Sequence, residues 1–114
     1  MNSNEEILLL KDAIEDICLY LGESHKKPIS VSKLFLELGM TKDMKDHAFA
    51  AFLKMSEVFE EEGKKLTLSD CRDLIERFCS TPDGFELSDI IIEEITRGFA
   101  LWIPELSELI KDWE

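Results

Sequence analysis

The sequence predicts an all-α protein, a single compact bundle of five or six helices spanning residues 1–114. Three observations support this. Apolar residues recur at three- and four-residue spacing along most of the chain. Ser, Thr, Pro and Gly stand where those runs begin and end. The connections between those runs are short. The triplet Ile90–Ile92 is the one strand-like run, but Glu93 and Glu94 follow it at once and the longer period is helical. Hydrophobic residues make up 45% of the chain. A chain of this length can therefore bury a core without metals or disulfides. There is no internal repeat, low-complexity stretch or linker long enough to divide it.

The first helix is expected from about Asn4 to Leu21. Ile7, Leu10, Ile14, Ile17, Cys18 and Leu21 form its stripe, and Gly22 supplies a stop. A short second helix fits Ser30 to Leu38, capped by Ser30 or Ser32 and ended by Gly39. The third starts at Thr41 and runs to Glu62, before Gly63. Met44, Ala48, Ala51, Phe52, Met55 and Phe59 line one side, widened by Phe49 and Leu53, which predicts a central helix. The fourth opens with Thr67 as N-cap and Asp70 at N3, and buries Leu68, Cys71, Leu74, Ile75 and Phe78. Ser88 caps the fifth, whose expected face is Ile91, Ile95, Phe99 and Trp102, broadened by Ile90 and Ile92. Pro104 breaks the chain and suits N1 of a last helix bearing Leu106, Leu109, Ile110 and Trp113.

Charge narrows function more than any motif. The chain holds 25 acids and 13 Lys or Arg, a formal net charge of −12. Residues 1–24 carry −5, residues 25–65 carry +1, and residues 66–114 carry −8. Surplus acid repels phosphates and attracts basic surfaces. Nucleic acid is thus an unfavoured partner, since its affinity rests on Lys and Arg neutralising phosphates. The N-terminal segment lacks the positive region of a secretory signal, and no apolar run is long enough for a membrane span. Cys18, Cys71 and Cys79 are odd in number and lack CxxC spacing, which suits free, buried thiols in a reducing cytoplasm.

Chemical motifs are absent. His25 and His47, the two histidines, have no His or Cys at i+3 or i+4, so no metal site is expected. The segment around Asp83-Gly84 resembles a calcium loop only superficially. With Gly84 at loop position six, position twelve is Ile90, where calcium needs a bidentate Glu. No GxSxG, Walker loop or GxGxxG is present. A non-enzymatic protein without a cofactor is the expectation.

The acid runs Glu57–Glu62 and Glu86–Glu94 on a compact helical chain resemble small acidic bacterial immunity proteins and antitoxins. That resemblance implies a cytoplasmic inhibitor. Its carboxylates would occupy the basic groove of a nuclease-type toxin, with Phe85 or Trp113 as an apolar anchor. The expected footprint is Asp83, Phe85, Glu86, Asp89, Glu93, Glu94 and Trp113. The alternative is a helix-turn-helix DNA-binding regulator over residues 29–56, using Lys33, Lys42 and Lys45. Its weakness is the absence of Arg, the usual reader of guanine, from Thr41 to Met55. A third expectation is an adaptor subunit of a larger complex, marked by an exposed apolar patch on the last helix. The oligomeric state is not legible in these features.

Overall fold

A computed structural model describes residues 2–113. It contains six helices: α1 (Ser3–Tyr20), α2 (Val31–Leu38), α3 (Lys42–Glu62), α4 (Leu68–Phe78), α5 (Asp89–Ala100) and α6 (Pro104–Leu109). No β-strand occurs among the described residues, only an isolated bridge between Ser24 and Lys27. The all-α architecture expected from periodicity is the one observed.

Local chemistry sets the helix starts. The side chains of Asn2, Ser30, Thr41, Thr67 and Ser88 accept the backbone N–H groups of Glu5, Lys33, Met44, Asp70 and Ile91. Each such cap is worth about 1 kcal/mol. At α4 the exchange is reciprocal, because the Thr67 N–H donates to the Asp70 carboxylate at 2.9 Å. Pro104 stands in the first turn of α6, where its missing N–H costs nothing. Gly39 ends α2 at φ +70°, and a Cβ there would lie 2.9 Å from Pro82 Cγ. The turn between α2 and α3 is therefore pressed directly against the α4–α5 connection.

Phe99 is the centre of the core. The rings of Phe35, Phe49 and Phe52 lie 5.8, 6.1 and 5.2 Å from its ring. Ile75, Ile92, Ile95, Ile103 and Leu106 complete a fully buried layer drawn from α4, α5 and the start of α6. α3 packs on α4 and α6, and α5 packs on α2, α4 and α6. At Gly98 a Cβ would stand 3.1 Å from Val31 Cβ, so the missing side chain is what lets α2 approach α5. The two buried hydroxyls are satisfied locally: Ser56 donates to Phe52 O and Thr96 to Ile92 O.

Three sequence expectations need correction. First, the α5 face centres on Ile92, Ile95, Thr96 and Phe99, with Ile91 partly buried at its edge and Ile90 and Trp102 outside it. The helix ends at Ala100, so Trp102 falls in the following turn and is 70% exposed. Second, the α1 stripe is not core. Ile7, Leu10, Ile14, Ile17 and Leu21 are all exposed, and Cys18 alone is buried. Helices α2 to α6 already close around Phe99, and α1 faces α2 with Leu8, Lys11 and Glu15 beside Lys33, Leu36 and Glu37. Third, the exposed apolar patch that would favour the adaptor alternative is not on the last helix, where Leu106 and Ile110 are buried as the sequence's core stripe there implies. The patch lies at the opposite end of the chain, on α1.

Candidate functional site

The connection between α4 and α5, residues 79–88, is the most elaborated surface. Arg72 on α4 is only 21% exposed in its side chain and organises this loop from beneath. Its guanidinium donates to Glu76 at 3.0 Å, to the Leu87 carbonyl at 2.7 Å and to the Asp89 carboxylate, with Glu86 at 3.6 Å. These carboxylates hold Arg72 above its ordinary pKa, Asp89 contributing most. Leu87 is buried and anchors one end of the loop, while Cys79 is buried at the other. Between them Asp83, Gly84, Phe85 and Glu86 are exposed, and Phe85 stands 76% in solvent. A fastened loop thus presents one bare aromatic ring among three carboxylates.

The expected seven-residue footprint divides into three places. Asp83, Phe85, Glu86 and Asp89 share the loop and the first turn of α5. Glu93 pairs instead with Arg97 at 2.8 Å. Arg97 also donates to the Trp113 carbonyl at 3.3 Å, and the Trp113 indole N–H donates to Leu66 O at 3.3 Å. Glu93 and Trp113 accordingly lash the C-terminal segment to the body rather than offering a free contact. Glu94 belongs to a third place, a half-buried charged cluster with His25, Glu23, Glu37 and Lys33. Burial pushes the Glu94 carboxyl above the ordinary carboxylate value; His25 opposes the shift and Glu37 and Glu23 add to it.

The lysines of the helix-turn-helix segment are engaged by the chain itself. The α2–turn–α3 arrangement exists, with Gly39 in the turn and Thr41 capping α3. Lys33, however, is 11% exposed and pairs with both Glu23 and Glu37. Lys42 pairs with Asp46 at 2.7 Å, and Lys45 donates to Ser32 Oγ at 2.9 Å. The middle of α3, at Ala48, Phe52 and Ser56, is core.

One feature escaped the sequence reading. A groove of about 730 Å³ runs between α3 and α4, floored by Ala51, Met55, Val58, Phe59, Leu74 and Phe78. His47, Lys54, Asp70, Asp73 and Arg77 stand at its rim. The signal was present, since Met55, Phe59 and Phe78 were placed on the inner faces of their helices. What periodicity could not supply is that the two helices diverge enough to leave these side chains half-covered.

All three thiols are buried. Burial pushes Cys71 up to about 12 and Cys79 to about 11, and also raises Cys18, so none is poised as a nucleophile at neutral pH. No group of three or more His, Cys, Asp or Glu with metal-binding geometry occurs among the described residues. No helix is long and apolar enough to cross a membrane. What the arrangement offers is contact: an acid-flanked aromatic loop, an apolar groove and an open helix face. Compared with known proteins, the chain matches no family model, no curated protein and no solved structure.

Proposed function

We propose that this is a non-enzymatic, cytoplasmic protein-binding inhibitor, an immunity protein or antitoxin that blocks the basic groove of a nuclease-type toxin. The observation that carries this reading is Phe85, 76% exposed on a loop whose neighbours Asp83, Glu86 and Asp89 are acidic. Large aromatic side chains are over-represented among the residues that dominate binding energy. A loop already held by Arg72 loses little freedom on docking, which favours affinity. Carboxylates around the ring suit a basic surface and speed encounter with it. Strong net acidity agrees with this and opposes a nucleic-acid partner. Lys33, Lys42 and Lys45 have partners within the chain, which weighs against the DNA-binding alternative.

The test is co-expression with the products of the adjacent genes, followed by kinetics on any complex. The expected result is a basic partner whose association slows steeply between low and physiological salt. Phe85→Ala should weaken the complex at least about tenfold, mainly through faster dissociation. Glu86→Lys with Asp83→Lys should slow association. A basic partner that binds both variants as tightly as the natural chain, or association indifferent to salt, overturns the reading.

A further inference from the structure

The apolar face of α1 has no cover within the chain, yet its residues are placed with regularity. Ile7, Leu10, Ile14, Ile17 and Leu21 follow one another at alternating steps of three and four. That is the a/d spacing of a two-stranded coiled-coil seam, narrower than the stripe of a helix packed on a globular core. With Ile7, Ile14 and Leu21 at a, and Leu10 and Ile17 at d, the first heptad has the Ile-then-Leu order that in parallel coils favours two strands, and the second has Ile at both positions. All five are exposed, by 39% at Ile14 and by 51–63% at the others.

We infer that α1 is a self-association helix, and that its occupant is α1 of a second copy laid parallel along this seam.

Charge placement selects a second copy over an unrelated partner. The four acids Glu5, Asp12, Glu15 and Asp16 fall at f, f, b and c, which a two-stranded coil leaves outside. None stands at a, d or e, so the charge that would oppose self-pairing points away from it. The remaining acid, Glu6, is at g, and the only base of the helix, Lys11, is at e. A parallel seam brings g of one strand beside e of the other, five residues on. Glu6 of each copy thereby meets Lys11 of the other, twice by symmetry. No other residue in α1 offers an acid–base pair at these flanks.

Area agrees. The five seam residues with the 90%-exposed Tyr20 at g leave on the order of 700 Å² open, close to one partner's share of a standard interface. A typical monomer's largest apolar patch is only about 300–600 Å². The body leaves all five seam residues exposed, although Ile14 lines the groove toward α2 together with Leu8, Lys11 and Glu15 and is the least exposed of the five. The Phe85 loop is remote from α1 in sequence and belongs to α4 and α5, so this inference stands or falls apart from the inhibitory reading.

Light scattering and analytical ultracentrifugation of the full chain over a concentration series test it. The natural protein should be a dimer that persists in high salt. Leu10→Glu and Ile14→Glu should each weaken dimerisation by on the order of a hundredfold while far-UV circular dichroism of the diluted protein stays helical. Glu6→Lys should weaken it and Lys11→Glu in the same chain restore it. Ile7→Cys should form an intermolecular disulfide on mild oxidation, because only a parallel seam sets position 7 beside its own copy. The natural chain, with its three buried thiols, is the control. A monomer at every concentration overturns the inference. So does a dimer indifferent to Leu10→Glu and Ile14→Glu, or one whose Ile7→Cys variant fails to cross-link.

Discussion

Helices α1 and α5 both carry apolar side chains at helical spacing, and the molecule treats them in opposite ways. Ile92, Ile95 and Phe99 on α5 are completely buried, whereas Ile7, Leu10, Ile14, Ile17 and Leu21 on α1 face solvent. Two physical differences separate them. The α5 face is broad and includes Thr96 and Gly98, small residues that let neighbouring backbones come close. The α1 stripe is a file of Ile and Leu at a and d spacing, with four of the helix's five carboxylates on the far side at b, c and f. A three-residue connection also holds α5 to α6, while α1 is tied to the body only through the ten-residue segment 21–30. Periodicity announces that a helix has a side to cover. The width of the stripe and the size of its residues say what kind of partner covers it.

The sharpest way to break this comparison is a matched pair of truncations. Phe99→Ala should cost about 3–5 kcal/mol, because a fully buried ring packed by three other phenylalanines leaves a cavity that cannot collapse. Leu10→Ala at micromolar dilution should cost less than about 0.5 kcal/mol, the scale of an exposed position. Urea denaturation of both variants reads the difference directly. Equal losses would mean that α1 is part of the same cooperative core.

A second pair of variants compares the exits of α1 and α2. Gly39→Ala meets both a left-handed backbone and Pro82 at 2.9 Å, so it should destabilise by about 2–4 kcal/mol. Gly22 has φ +84° but nothing within 4 Å, so Gly22→Ala should cost only the backbone term, about 1–2 kcal/mol. Thermal melts at one protein concentration separate the two. A Gly22 variant as damaged as the Gly39 variant would place the α1 exit inside the body's packing.

Much of the fold was legible because its signals are local. Ser30, Thr41, Thr67 and Ser88 start helices where their side chains suggested, since a cap needs only its own first turn. Pro104 opens α6 for the same reason. Errors arose where the deciding contact is distant. Which of Ile90, Ile91 and Ile92 is buried most deeply depends on the direction from which neighbouring helices approach, and no residue of α5 encodes that direction alone. Trp102 was read as core because it continues a spacing that the chain abandons after Ala100. In the candidate site, Phe85 and its acidic neighbours were visible as a turn. The role of Arg72 was not, because it joins positions up to seventeen residues apart through space. Glu93 was read as free surface, although Arg97 four residues later is a standard helical partner and marked it as paired.

The smallest effect concerns Glu94, at the junction where the α1 exit meets α2 and α5. Its carboxyl is raised chiefly by burial, so the native state holds its proton to higher pH than the unfolded chain does. Between the two values the native state binds more protons, and stability therefore falls as pH rises through that window. Above it the ionised carboxylate remains a constant penalty; below the unfolded value, near 4, both states are protonated and the penalty vanishes. Glu94→Gln should then stabilise the protein at pH 7 by a few tenths of a kcal/mol, a gain limited by solvent screening of a half-exposed group. The gain should disappear near pH 3.5. Lys33 beside it is also raised, so its effect on stability likewise falls with rising pH, but in an alkaline window and with the charged form as the stabilising one. Its pKa is raised chiefly by its hydrogen bond to Glu23, so the stability it contributes is present below about 10.5 and is lost only as pH rises further. Melts of Glu94→Gln and of Lys33→Met across pH 3.5 to 11 distinguish the two. A Glu94→Gln gain that persists at pH 3.5 would trace the effect to packing rather than charge, and would remove the carboxylate from the junction between the open helix and the closed body.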